Sequence, residues 1–423
     1  MSTSGGPEQP GAGGHHQEGP SGHQGEHLVE HLAEQLVAPL PEVDPTKIQR
    51  RLDYIDVLRA VAVLAVFGVH IWGYWLDSPL KAAHAFTPEG LVLRLISLGA
   101  FGVDLFIVIS GFCLAYPLLK GTDRTSPPRR LKTGAFYKRR AFRILPAYYA
   151  ALLVIFLVEL IPAAQHDLVA SPVTLWDLVT HALLIQTWFP STIGAINGPF
   201  WSIALEVQLY LVFPLLLVGV RKFGFVRTLL GTMVLSLIWF GLTALWVHHG
   251  LQHTFGPDLS KELPARWFEF MFGVGAARLV TAPRKHDLRI GIAAVVVGVP
   301  LALGAESLNS NLGRAFGWGL LAVGMVLLGS FVPHRFILGN PIGRGFQKLG
   351  VISFSFYLIH QPVLLLLAPL VSRMHLGRME VVLLGFTVGV AITAAIAKVF
   401  FTFVEKPFLV RGGMRAAIDF SKG

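Results

Sequence analysis

Ten apolar runs, each close to the length of a membrane crossing, decide what this chain can fold into. They lie near residues 54–75, 95–119, 144–161, 200–220, 226–247, 264–281, 290–305, 314–332, 350–372 and 379–403. About 20 apolar residues of helix cross the hydrocarbon of a bilayer, where every backbone N–H and C=O must find its partner inside the segment. Hydrophobic residues make up 53% of the chain and charged residues 14%, against roughly a quarter charged in an ordinary soluble domain. The expected fold is therefore all-α, a polytopic membrane protein with about ten transmembrane helices.

The charge pattern orients those helices. A net charge of +10 would suggest nucleic acid in a soluble chain, but here the cations sit in short loops between apolar runs, as the positive-inside rule requires. No nucleic-acid partner is expected. The segment Thr174 to Phe189 is short and broken by Asp177, His181 and Gln186. If it does not cross, the basic stretch from Lys47 to Arg51, the loop from Lys120 to Arg143, Arg221 to Arg227, Arg278 to Arg289, Arg335 to Lys348 and Lys406 to Lys422 all fall on one side. Ile161 to Pro199 contains no Lys or Arg. Both termini are then cytoplasmic, and the expected location is the cell (plasma) membrane. Residues 1–45 are expected to be a disordered cytoplasmic tail. Leu28, Leu32 and Leu36, with His27 and His31, suggest a short amphipathic helix within it. Residues 46–410 form the membrane domain and 411–423 a short cytoplasmic tail. The single Cys113 allows no intramolecular disulfide.

Within the first run, Arg59 and His70 stand eleven residues apart. Eleven steps of about 100° return to within about 20° of the start, so the two side chains share one helix face. A cation and an imidazole on one stripe of a lipid-embedded helix must face a protein interior or a wet cavity, which marks them as candidates for function. Neither they nor the other histidines within spans have carboxylate or thiolate companions at ligand spacing, and no metal site is expected.

Arg59, ten residues, then His70 matches the arginine-x10-histidine signature of the acyltransferase-3 family of integral membrane O-acyltransferases. Five further blocks in order resemble the same family: FGVDLFIVISGF at 101–112, FYKRRAFRILPAY at 136–148, PFWSIALEVQLYLVFP at 199–214, ISFSFYLIHQP at 352–362 and VEKP at 404–407. Val207 stands where the family usually has a second glutamate after Glu206, so no paired carboxylate is expected there.

The resemblance implies an enzyme that moves an acyl group, usually acetyl, from acyl-CoA (acetyl-CoA) onto a hydroxyl of a carbohydrate, lipid or glycosylated natural product. The residues permit that chemistry. Histidine is the side chain best poised near neutral pH to take the hydroxyl proton, so His70 is the candidate general base, although a histidine can also carry an acyl group covalently. Asp104 or Glu206 would hold its other ring nitrogen, and Asp104 has the alternative of pairing Arg59. Nine Lys or Arg residues and one Asp lie between Lys120 and Arg143. Of these, Arg140 and Arg143 sit three apart at the start of a span, placed to bind the donor's phosphates. Trp201, Tyr357 and His360 are candidates for lining the acceptor path, whereas Glu405 and Lys406 at the inner boundary are expected to be structural. A transporter or flippase for a polar or lipid-linked substrate is the alternative, and the oligomeric state is left open.

Overall fold

The computed structural model describes residues 52–76, 87–159, 173–249, 259–284 and 286–411. The expectations for the two tails, with His27 and His31, lie outside these residues save for Arg411. Among the described residues there is no strand. The helices are α1 Asp53–Trp75, α2 Pro88–Leu119, α3 Thr133–Glu159, α4 Leu175–Ala182, α5 Phe200–Phe223, α6 Phe225–His248 and α7 Leu263–Thr281. They continue as α8 Asp287–Ser307, α9 Asn311–Gly329, α10 His334–Leu338, α11 Pro341–Val351, α12 Ser353–Arg373 and α13 Arg378–Arg411.

Nine of these are long and apolar enough to cross a membrane: α1, α2, α3, α5, α6, α8, α9, α12 and α13. The protein is an all-α polytopic membrane protein. The tenth expected span is α7, long enough at 19 residues but carrying Arg266, Glu269 and Arg278. Those charges explain its position. None of its residues is exposed, because it packs among α2, α6 and α9 and its charged groups meet protein in place of lipid.

The α2–α7 contact is made backbone to backbone. A Cβ on Gly273 would overlap the Val108 carbonyl, and one on Gly111 would overlap the Phe270 carbonyl. Small residues at such a seam let two membrane helices approach until their main chains touch, where dispersion does the work that the hydrophobic effect does in water. Buried at one end of this seam, Arg266 Nη2 donates to Asp104 Oδ1 at 2.6 Å, and its Nε lies 3.1 Å from Glu269 Oε1.

The described part of the cation-free segment, residues 173–199, opens with a short helix. Thr174 and Asp177 form a reciprocal N-terminal cap for α4, whose 8 residues give about 12 Å of helix against roughly 30 Å of hydrocarbon. The helix is too short to cross. His181 at its end is fully buried, and that burial pushes its imidazole pKa down. The following chain is pinned to two spans, since Gln186 Nε2 donates to Phe200 O and Asn197 Nδ2 donates to Leu358 O, both at 3.2 Å.

At the opposite end, α11 lies across the base of α1. A Cβ on its Gly350 would overlap the Asp56 carbonyl. Asp53 there accepts from Gln347 Nε2 at 3.2 Å and lies 2.7 Å from His334 Nδ1. The first turns of α1, which lead to Arg59, are thus fixed from outside the bundle.

The glycine seam gives a direct test. Gly273→Val forces α7 away from α2 and loosens the Asp104–Arg266 contact, and overpacking of this kind costs about 1–3 kcal/mol. Thermal unfolding of the detergent-solubilised variant is expected several degrees below the parent.

Candidate functional site

A cavity of about 600 Å³ opens between α1, α2, α3, α5 and α12. Its depth follows from α2, which lines it from Val103 to Pro117, about 20 Å of helix. Val103, Phe106, Ile107, Ser110, Cys113, Leu114 and Pro117 face it, at the three- and four-residue spacing of one helical stripe. Asp104, Val108 and Gly111 form the adjacent stripe and face α7.

Three arginines line the cavity: Arg59 from α1, and Arg140 and Arg143 from α3. Arg59 Nη1 donates to Asp56 Oδ1 at 2.8 Å, and its Nη2 lies 3.3 Å from Cys113 Sγ. Arg140 places its guanidinium carbon 5.7 Å from the centroid of the Tyr210 ring, and its buried Nε has no hydrogen-bond partner among the described residues. An unanswered buried donor on a guanidinium suits an anion entering from the cavity. Glu206 lines the same wall. Its Oε1 accepts from Ser110 Oγ at 3.1 Å and from the Tyr210 hydroxyl one helical turn on. Glu405, 2% exposed, accepts from Ser355 Oγ at 2.6 Å and lies within electrostatic reach of Arg143 and Arg59.

Tyr357 and Ser202 line the cavity beside Phe106, towards the Val103 end of the α2 stripe. Their hydroxyl oxygens are 2.6 Å apart, and both lie 3.1 Å from Pro199 O. One hydroxyl therefore donates to the other, and the second donates to the carbonyl. Between these hydroxyls and the arginines the walls are largely apolar, with Ile109, Ile144, Ile203, Leu209 and Phe354 joining the α2 stripe.

Behind Tyr357 stand two histidines. His360 Nδ1 lies 2.6 Å from Tyr357 O, and a carbonyl only accepts, so this nitrogen carries the proton and Nε2 holds a lone pair. His70 Nδ1 lies 2.7 Å from Val66 O and 3.3 Å from that His360 Nε2. Two acceptors around one nitrogen assign the proton to it, which leaves the lone pair of His70 on Nε2. The His70 ring stacks on Tyr74 with centroids 5.6 Å apart. His70 is half-buried and His360 fully buried, and neither lines the cavity.

These positions sort the residues singled out in the sequence. Arg59, Arg140, Arg143, Glu206 and Tyr357 converge on the cavity as a group. The shared stripe of Arg59 and His70 divides, one residue facing α2 and the cavity, the other facing α12. Asp104 is a correction: it pairs Arg266 rather than His70 or Arg59, because α7 brings its own arginine to that face of α2. Glu206 likewise bonds Ser110 and Tyr210, and His70 Nδ1 is held by a backbone carbonyl and a second imidazole where a carboxylate was expected. Trp201 lies outside the lining, with Lys261 Nζ 5.3 Å above its ring, and His360 meets His70 instead of the cavity. Ser110, Cys113, Ser202 and Tyr210 were missed as lining residues. All but Cys113 lie inside the quoted blocks, and Tyr210 follows Glu206 by one helical turn.

A family model described as an acyltransferase domain matches residues 52–399. The peptidoglycan O-acetyltransferase OatA of Listeria monocytogenes serovar 1/2a is 25% identical over 387 residues, 85% of this chain and 56% of that protein. The acyltransferase MdmB of Streptomyces mycarofaciens is 32% identical over 177 residues, 41% of this chain and 41% of that protein. The chain spans about half the length of these curated relatives. No solved structure matches it.

Proposed function

The chain belongs to the acyltransferase-3 family, and on that premise we propose that it is a membrane O-acyltransferase carrying an acyl group, acetyl in the simplest case, from acyl-CoA to a hydroxyl. The observation that carries this reading is the cavity, lined by three arginines at one end, apolar along its walls and lined at the other by Tyr357 beside the histidine pair. Coenzyme A has the matching order of parts. Its phosphates suit Arg140 and Arg143, whose planar forks meet phosphate oxygens two at a time, with Arg59 further along the same wall. The pantetheine arm suits the apolar walls, and its amides suit the Ser110–Glu206–Tyr210 group. The thioester then lies at the Tyr357 end.

His70 Nε2, with its lone pair, takes the proton from the acceptor hydroxyl as that oxygen attacks the thioester carbonyl. The carbon–sulfur bond breaks, coenzyme A leaves as a thiolate, and the proton held by His70 passes to that sulfur. No step needs a metal or an oxidant. The positive-inside rule supports a plasma-membrane protein whose basic helix ends, including the Lys120–Arg143 loop, face the cytoplasm and the donor, with the acceptor approaching His70 from the other side. OatA is named for peptidoglycan, a carbohydrate polymer, which supports a carbohydrate hydroxyl as the acceptor class here.

Two predictions test this. Arg140→Ala and Arg143→Ala are each expected to raise the donor KM about ten- to a hundredfold while changing kcat much less, because the phosphates lie far from the reacting carbonyl. Steady-state kinetics that leave the donor KM unchanged in both would remove the arginines from the donor site. His70→Ala and His70→Asn are each expected to fold, insert and lose about a hundred- to ten thousandfold in acyl transfer, followed as free thiol released from acetyl-CoA. Asparagine keeps a hydrogen bond but cannot take the proton, so near-normal turnover in His70→Asn would end the general-base reading.

A further inference from the structure

We propose that His360 is a positioning residue for His70, its Nε2 lone pair serving as the second acceptor for the His70 Nδ1–H and so holding that ring as a base. This rests on the general-base reading of His70 and deepens it. Four observations point the same way. Tyr357 O, 2.6 Å from His360 Nδ1, fixes the His360 proton on the side away from His70. His360 Nε2 then faces His70 Nδ1 at 3.3 Å, with ring centroids 4.9 Å apart and the rings at 67°. His360 is fully buried, packed against Phe67 and Tyr357, so its own orientation is set by its neighbours. The cavity lining includes Tyr357 but not His360, which argues against contact with the donor.

The chemistry gives the second acceptor its purpose. Val66 O and His360 Nε2 together disfavour the tautomer that would turn a lone pair towards them, and they keep Nε2 of His70 unprotonated in the resting enzyme. When His70 takes the acceptor's proton, its Nδ1–H becomes part of a cation and donates more strongly. A neutral imidazole lone pair beside it stabilises the imidazolium. A buried carboxylate fills this position in many hydrolases, whereas here the carboxylates Asp104 and Glu206 are engaged elsewhere.

His360→Leu removes the acceptor and keeps an apolar side chain of similar bulk. His360→Gln places an amide oxygen near the position of Nε2. With purified full-length protein, acetyl-CoA as the donor and free thiol as the readout, His360→Leu is expected to lower kcat about tenfold or more. Its donor KM should stay within about threefold of the parent. His360→Gln is expected to recover most of that kcat, which a merely structural role would not predict. Size-exclusion profile and unfolding temperature in detergent establish that both variants are folded. Should His360→Leu itself fail to fold, the proposal stands or falls on Gln alone, whose kcat must lie within about fivefold of the parent. Parental turnover in a folded His360→Leu, or equal loss in folded Leu and Gln variants, would overturn the proposal. A change confined to donor KM would also overturn it and restore His360 to the substrate path. His70→Asn run alongside separates the two claims: inactive His70→Asn with fully active His360→Leu removes only the positioning role, whereas active His70→Asn removes the base itself.

Discussion

The seam between α2 and α7 is the contact on which the rest of the structure depends. Gly111 and Gly273 bring two main chains together, and the Asp104–Arg266–Glu269 group at one end of the seam is kept out of lipid by that closeness. One face of α2 is thereby committed to packing. Its adjacent stripe, carrying Ser110 and Cys113, is left to form a wall of the cavity. The same cost of desolvated charge explains the arginines. Arg59 is tolerated inside the bundle because Asp56 answers it and a cavity adjoins it.

Much of this was legible because membrane helices restrict what a charge can do. Arg59, Arg140, Arg143 and Glu206 were marked by being polar within or beside apolar runs, and they meet around one cavity. The remainder depended on which helix lies next to which. Asp104 carries nothing in its own run to show that α7 supplies Arg266, and the apolar run of α7 is itself interrupted by Arg266 and Glu269. The sequence offers His360 as a lining residue together with Tyr357, both polar groups within one apolar span and three residues apart. On a helix, however, a three-residue offset turns a side chain by about 60°, enough to carry it from the cavity to the back of the tyrosine. The eleven-residue spacing of Arg59 and His70 was sound as geometry, but a shared face is long enough to serve two neighbours, and α1 packs on both α2 and α12.

Tyr357 divides the polar groups of the bundle between two spaces. The arginines and apolar walls belong to one compartment and the histidine pair to the space behind Tyr357, with the Tyr357–Ser202–Pro199 hydrogen bonds between them. In the proposed reaction the donor thioester and His70 meet across that boundary, where the acceptor hydroxyl must enter.

Cys113 offers the most direct test of the central claim that the cavity holds the acyl donor. It is the single cysteine in the sequence, it lines the cavity, and it lies beside Arg59. The rate at which a small maleimide alkylates purified protein therefore reports on the space the donor would fill. Saturating acetyl-CoA is predicted to slow that alkylation at least tenfold in the parent, with protection in Arg140→Ala appearing only at higher concentrations. An alkylation rate unchanged by acetyl-CoA in the parent would place the donor elsewhere and contradict the account.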